Sequence, residues 1–306
     1  MRIVCMGDAH YNTMRLKHPS IKKMNHLFYN KIFSMFFKKE ADCYVSLGDL
    51  THFGRKKEFQ EIYSIIEKQK REDQDFVQVF GNHDVLFYSQ DDLKAFTKRD
   101  RYFAKHMDEA NLIFLDTSKP RAPFFANSRL DKEQADFLAK ELERSKDKLV
   151  FVFGHHPAYH IPIQGEETLT VYDLLRTKKD GFGVYVHGHK HKDKFSVEDN
   201  WGFLQFNDLL DEPSIRVLEV EGDRVAMDTI ALGNLTYLHY AEEIAKNLLT
   251  FPRTRNDEEY AGVRQLSLLS NSYTFSLADV IETDDPYFSV DGRGILNFFL
   301  SRFVKQ

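Results

Sequence analysis

Five short clusters of metal-capable side chains, each headed by glycine and each placed just after an apolar run, constrain this chain more than any other feature. They are Gly7-Asp8-Ala9-His10, Gly48-Asp49, Gly81-Asn82-His83-Asp84, Gly154-His155-His156 and Gly188-His189-Lys190-His191. The runs before them, residues 2–6, 43–47, 76–80, 149–153 and 183–186, have the length and composition of strands. In an open α/β sheet the loops beyond the carboxyl ends of the strands converge on one crevice, so clusters far apart in sequence can meet. Glycine at the head of each permits a tight turn and close backbone approach.

The intervening segments support such a sheet. Residues 20–39 place Ile21, Met24, Phe28, Ile32 and Met35 at helical spacing, and residues 55–70 do the same with Phe59, Ile62 and Ile66. Helices are also expected over 93–107, over 131–145 with Asp131 as N-cap and Gln134 three residues on, and over 169–176, with a strand at 112–115. This alternation argues for an α/β sheet with many βα turns. Residues 194–197, 201–206, 215–220 and 224–230 then read as short antiparallel strands closing the domain. Helical patterning returns beyond Gly233-Asn234, which divides the chain into 1–233 and a helical extension, 234–306.

With 306 residues, 42% of them hydrophobic and 29% charged, the chain has ample material for a core. A net charge of −5 disfavours a nucleic-acid partner. Cys5 and Cys43 both sit in apolar runs, which fits a reducing compartment rather than a disulfide framework. The first strand begins almost at Met1, and no apolar run reaches membrane length, so the expected location is the cytoplasm.

The donor types narrow the chemistry. Carboxylate, amide oxygen and imidazole without thiolate suit a divalent ion such as Mn, Fe or Zn. Two such ions roughly 3.5–4 Å apart clamp a phosphoryl group and generate hydroxide at neutral pH. Asp49, alone in its cluster, is the natural bridge between them. A lone Asp-x-His or Gly-Asp carries almost no weight. The ordered set does, because an explanation by surface histidines and ordinary turns must account for five coincident placements.

In this order the clusters resemble the calcineurin-like metallophosphoesterase superfamily, over about residues 2–231. Gly48-Asp-Leu-Thr51, the Gly81-Asn-His-Asp84 turn, Leu115-Asp-Thr-Ser118 before a Gln-containing helix, and His155-His156-Pro157 most resemble the bacterial class III cyclic-nucleotide phosphodiesterases. The resemblance implies a four-layer α/β/β/α sandwich with 1–233 as catalytic domain. It also implies two metal ions, one held by Asp8, His10 and His191, the other by Asn82, His155 and His189, with Asp49 between them. His83 matches the histidine that binds phosphate and assists the leaving group. The implied reaction is hydrolysis of a small phosphorylated substrate, a phosphodiester such as a cyclic nucleotide, by a water or hydroxide bridging the ions.

One departure stands out. Many relatives read G-D-x-x-D, with the second Asp orienting the histidine of the N-H turn; here that position is His52, which carries no fixed negative charge. Asp84, His156 and His160 are further candidates for supporting the centre or contacting substrate, His160 alternatively having a plain loop role. Tyr11 and Asn12 are weaker candidates for its border. Phe53 stands where the protein-phosphatase branch has arginine, against a phosphoserine/threonine phosphatase. The alternatives are a phosphomonoesterase acting on a nucleotide, sugar phosphate or lipid precursor, a nuclease, and a non-catalytic scaffold. The last predicts eroded ligands, whereas every position here is filled. For 234–306 the expected roles are a cap, a lid or a homodimer contact.

Overall fold

The structure, a computed structural model, describes residues 1–13, 18–120, 128–222, 224–248, 251, 272–276 and 290–291. Two sheets pack face to face. In the first, β1 (Arg2–Met6), β2 (Cys43–Ser46) and β3 (Phe76–Gln78) run parallel, and β12 (Ser214–Glu221), β13 (Arg224–Ala231) and β14 (Ser272–Ser276) continue antiparallel in the order β14-β13-β12-β1-β2-β3. The second follows the order β15 (Val290–Asp291), β10 (Lys194–Glu198), β11 (Trp201–Gln205), β9 (Gly183–His187), β6 (Leu149–Phe153), β5 (Ala110–Phe114) and β4 (Phe103–His106). A small hairpin, β7 (Pro162–Ile163) and β8 (Glu166–Thr170), lies apart from both.

Period-two alternation builds the sandwich. On β1, Ile3 and Cys5 enter the core between the sheets, where they join Val45 and Leu47 with Phe114, Phe153, Val184 and Val186 of the second sheet. Val4 and Met6 belong instead to the outer core, with Phe28, Ile32 and Phe36 of α1 (Pro19–Lys38) and Ile62 and Ile66 of α2 (Lys56–Gln69). On the far side, Val150 and Val152 pack with Leu138 and Leu142 of α4 (Lys132–Arg144) and with Val171 and Leu175 of α5 (Val171–Leu175). Helices outside two sheets make the expected α/β/β/α order. Burial of each large apolar side chain contributes about 1.5–3 kcal/mol. Both cysteines are free thiols, and they lie in the inter-sheet core.

Several boundaries differ from expectation. The helix expected over 93–107 is α3 (Gln90–Thr97) followed by the edge strand β4. A Ser89–Asp92 capping box starts α3, and Lys98 ends it in the left-handed region at φ 53°. The strands after residue 193 are not all antiparallel: β11 pairs parallel with β9. They also divide between the sheets, β10 and β11 in one, β12 and β13 in the other.

Of the C-terminal part, α6 (Leu235–Asn247) packs on α1 through Ala241, Ile244 and Ala245, while β14 and β15 extend one edge of each sheet. Phe124, Phe125, Ile281, Ile295, Phe298, Phe299 and Phe303 lie outside the described residues. Among the described residues no helix is long and apolar enough to cross a membrane.

Candidate metal centre

The clusters follow β1, β2 and β3 in one sheet and β6 and β9 in the other, and all five meet. Their turns are conformationally unusual. Six non-glycine residues among those described have positive φ, and four are expected ligands: His10 at 51°, Asp49 at 46°, His189 at 72° and His191 at 51°. Such conformations cost about 1–3 kcal/mol each and persist where the surroundings over-determine them. Here the amides of Ala9 and His10 both donate to the Asp49 carbonyl, at 3.1 and 2.8 Å, which ties the first two loops together. Glycine is required beside them: a Cβ on Gly188 would lie 2.1 Å from Asp8 Oδ1, and one on Gly81 would lie 2.1 Å from Asp49 Oδ1.

The donor atoms form two groups. His191 Nε2 lies 3.0 Å from His10 Nε2 and 3.2 Å from Asp8 Oδ2. Asn82 Oδ1 lies 3.1 Å from His155 Nε2 and 3.0 Å from His189 Nδ1, and these two nitrogens are 3.3 Å apart. Asp49 Oδ2 sits between the groups, 3.3 Å from His155 Nε2 and 4.0 Å from His10 Nε2. With metal–ligand bonds of about 2.0–2.2 Å, donors at right angles around one ion stand about 3 Å apart. The residues therefore fit a pair of small divalent ions.

Burial and charge reinforce that fit. Asp8, His10, Asp49 and His155 are buried. Burial opposes ionisation of Asp49, yet the imidazoles of His155 and His83 hold its carboxyl well below the usual range. Burial also opposes charge on His155, but Asp49 and Asp8 raise its pKa to about 9. At His191, Asp208 and Asp8 outweigh burial to the same extent, again to about 9. His10 and His189 are driven down by burial and by neighbouring imidazoles, His189 to about 2. The site thus pairs its carboxylates with protonated imidazoles where divalent cations would serve.

Around these atoms the remaining candidates separate. The His83 Nδ1–H donates to the carbonyl of His52 at 2.6 Å, and the His83 amide donates to Asp49 Oδ1 at 2.7 Å. The His52 ring does not take the place of the expected Asp. It stacks on His83 with centroids 5.2 Å apart and brings its Nδ1 within 3.2 Å of His10 Nδ1. Asp84 points away from the centre, into the amides of Leu50, Thr51 and Gly81 and the side chains of Thr51 and Gln78. His156 turns its Nδ1 to Thr117 Oγ1 at 2.9 Å, although its ring is 4.4 Å from that of His189. His160, in a short 3-10 turn, is exposed and packs on Tyr159. Tyr11 turns from the site to Glu61, and Asn12 is buried with its carbonyl accepting from Asn25.

Three further neighbours border the centre, of which only Thr117 lies in a motif of the sequence. Thr117 accepts from the amides of His155 and His156, both at 3.3 Å. Phe251 lays its ring against His191 and His10, at 5.0 and 5.2 Å between centroids. Asp208 is buried 3.7 Å from His191. Asp208 follows a strand as the clusters do, and that position is the available signal; Thr117 stands in the Leu115–Ser118 motif, and nothing local marks Phe251.

Residues 1–193 match the family described as calcineurin-like phosphoesterase. The chain belongs to that family. A search of curated proteins finds no match. Among solved structures, a dimetal phosphatase from Danio rerio is similar at 13% identity and a TM-score of 0.59, over 75% of this chain and 96% of that one. GAP50, described as the anchor in the inner membrane complex of Plasmodium, is similar at 11% identity and a TM-score of 0.51, over 88% of this chain and 94% of that one. A dimetal phosphatase and an anchor share the fold, so the fold alone does not decide between catalysis and scaffolding; the site does. The chain is a member of a metallophosphoesterase family, and its His and Asp clusters have the grouping to hold metal.

Proposed function

We propose that this phosphoesterase hydrolyses small phosphodiesters, of the kind cleaved by the class III cyclic-nucleotide phosphodiesterases, at a centre of two divalent ions. The observation that carries the reading is the division of seven donor side chains into two groups joined by Asp49. Asp8, His10 and His191 would hold one ion and Asn82, His155 and His189 the other. Bound there, Mn, Fe or Zn ions supply an acidified water and positive charge for the phosphoryl oxygens.

The remaining work falls to His83. With Nδ1–H committed to the His52 carbonyl, its Nε2 is the nitrogen that meets substrate, and in the protonated ring it donates to a phosphoryl or leaving-group oxygen. Phe53 favours a diester over a monoester. Its ring packs 4.5 Å from that of His52, and the side chain at this position carries no charge of its own to offer a phosphoryl group. A diester carries one charge fewer than a monoester dianion and needs less such compensation.

The test is a rate comparison with metal-loaded protein on bis(p-nitrophenyl) phosphate, p-nitrophenyl phosphate and 3′,5′-cyclic nucleotides. A higher kcat/KM on the diesters is expected, with loss of activity in Asp49→Asn. Preference for the monoester sinks the diester reading and leaves a phosphomonoesterase.

A further inference from the structure

We infer that Asp208 is a positioning residue for the metal centre: it accepts the Nδ1 proton of His191 and so holds the ring with Nε2 toward Asp8 and His10. The inference rests on the proposed two-ion centre. The two nitrogens of His191 face opposite surroundings. Nε2 lies 3.2 Å from Asp8 Oδ2 and 3.0 Å from His10 Nε2, while Nδ1 lies 3.7 Å from Asp208 Oδ2.

The carboxylate itself is held firmly. Asp208 is fully buried, and its Oδ1 accepts from the amides of Leu210 and Asp211, both at 2.8 Å. Among the described residues its Oδ2 has no hydrogen-bond partner. A buried carboxylate oxygen without a donor is costly, and such an atom needs an explanation. A shift of roughly 1 Å brings it to charge-assisted hydrogen-bond length from His191. Metal-binding histidines generally donate their second ring N–H to a carboxylate, carbonyl or water, which fixes the tautomer and strengthens the ligand.

The surrounding chain places Asp208 between two ligand loops. The Leu209 amide donates to the Asp8 carbonyl at 2.8 Å, and the Asn207 amide donates to Asp193 Oδ1 at 2.9 Å, two residues past His191. Asp193 is in turn paired with the buried Arg216. Asp208 lies beyond the family match at 1–193, and no motif of the centre includes it.

Asp208→Asn tests the role, because an amide keeps an Oδ1 for the two backbone donors but turns an NH2, which cannot accept, toward the imidazole N–H. Zinc titration calorimetry of the full chain should show one of two equivalents bound roughly 10- to 100-fold more weakly. The melting temperature of the metal-free variant serves as the baseline, and its rise on adding zinc should be smaller than that of the wild type. Unaltered affinity for both equivalents overturns the inference. A second measurement needs no variant: ¹⁵N-imidazole NMR of the zinc-loaded wild-type chain should show His191 protonated at Nδ1. A proton-free Nδ1 there also overturns it. Wild-type protein that takes up no zinc would instead remove the two-ion reading itself.

Discussion

The Nδ1 of His83 lies 2.6 Å from the carbonyl oxygen of His52, so a main-chain dipole holds the ring that a carboxylate orients in many relatives. A carbonyl can only accept, which places a proton on Nδ1; in the proposed mechanism Nε2 is the nitrogen turned to substrate. Replacing the His52 side chain leaves this anchor in place, whereas replacing His83 removes the proposed proton donor. His83→Gln should lower kcat by about 10²- to 10⁴-fold. Metal content by elemental analysis should stay at the wild-type value in the same variant. His52→Ala should retain kcat within about tenfold, since it loses the stacking on His83 and the contact to His10 Nδ1 but keeps the carbonyl anchor. Equal losses in the two variants would contradict the assignment.

Asp84 is the brace of the second and third loops. Its carboxylate accepts from the amides of Leu50, Thr51 and Gly81 at 3.3, 2.9 and 3.1 Å, from Thr51 Oγ1 at 2.8 Å and from Gln78 Nε2 at 3.1 Å. Removing it orphans several buried donors at once, each costing about 1–3 kcal/mol. Asp84→Ala should therefore destabilise the metal-free chain by at least about 3 kcal/mol in urea denaturation. A change below about 1 kcal/mol would show that water replaces the brace.

The metal clusters are legible in the sequence because their chemistry restricts residue type: glycine where a carboxylate lies against the backbone, then a donor. The sheets are legible from apolar runs such as residues 149–153, whose five residues are all buried. What the sequence hides is local. Residues 93–107 hold apolar side chains at spacings compatible with helix, and only the left-handed Lys98 and the pairing of β4 with β5 divide them. His52 anchors the Nδ1 of His83 through its carbonyl, while its ring only stacks on His83, a distinction that no sequence carries. Asp208 sits in the acidic stretch Asn207-Asp208-Leu209-Leu210-Asp211-Glu212 without the glycine that marks the other clusters. Phe251 reaches the centre from beyond the family match, through tertiary packing alone.

Gly188 tests how tightly the backbone is drawn around Asp8. A methyl group at this position would approach Asp8 Oδ1 to 2.1 Å, which leaves no room for alanine unless the carboxylate moves. Asp8 also accepts from the His189 amide, at 3.2 and 3.1 Å to its two oxygens, so displacing it disturbs the turn that carries both histidines. Overpacking of this kind costs about 1–3 kcal/mol, which the fold should survive. Gly188→Ala should keep a cooperative melting transition yet lose at least one metal equivalent on gel filtration. Full occupancy in the variant would mean that the carboxylate is not confined.

Lys178 gives a pH signature remote from the centre. Its side chain is buried and donates from Nζ to the carbonyls of Ser145 and Lys146, at 2.6 and 2.8 Å, just past the end of α4. Burial lowers its pKa from 10.5 to about 8, against the weaker pull of Asp147 and Asp180. Between these values the unfolded chain keeps the proton and the folded chain has released it. The unfolded state therefore binds more protons, and this group makes stability rise with pH from about 8 to about 10.5. Below pH 8 both states are protonated and its contribution is flat. Urea midpoints of wild-type and Lys178→Met protein at pH 8 and pH 10 isolate the effect: the wild type should gain on the variant as pH rises. A constant difference between them would mean that Lys178 keeps its proton when folded, with the two carbonyls holding the charge despite burial.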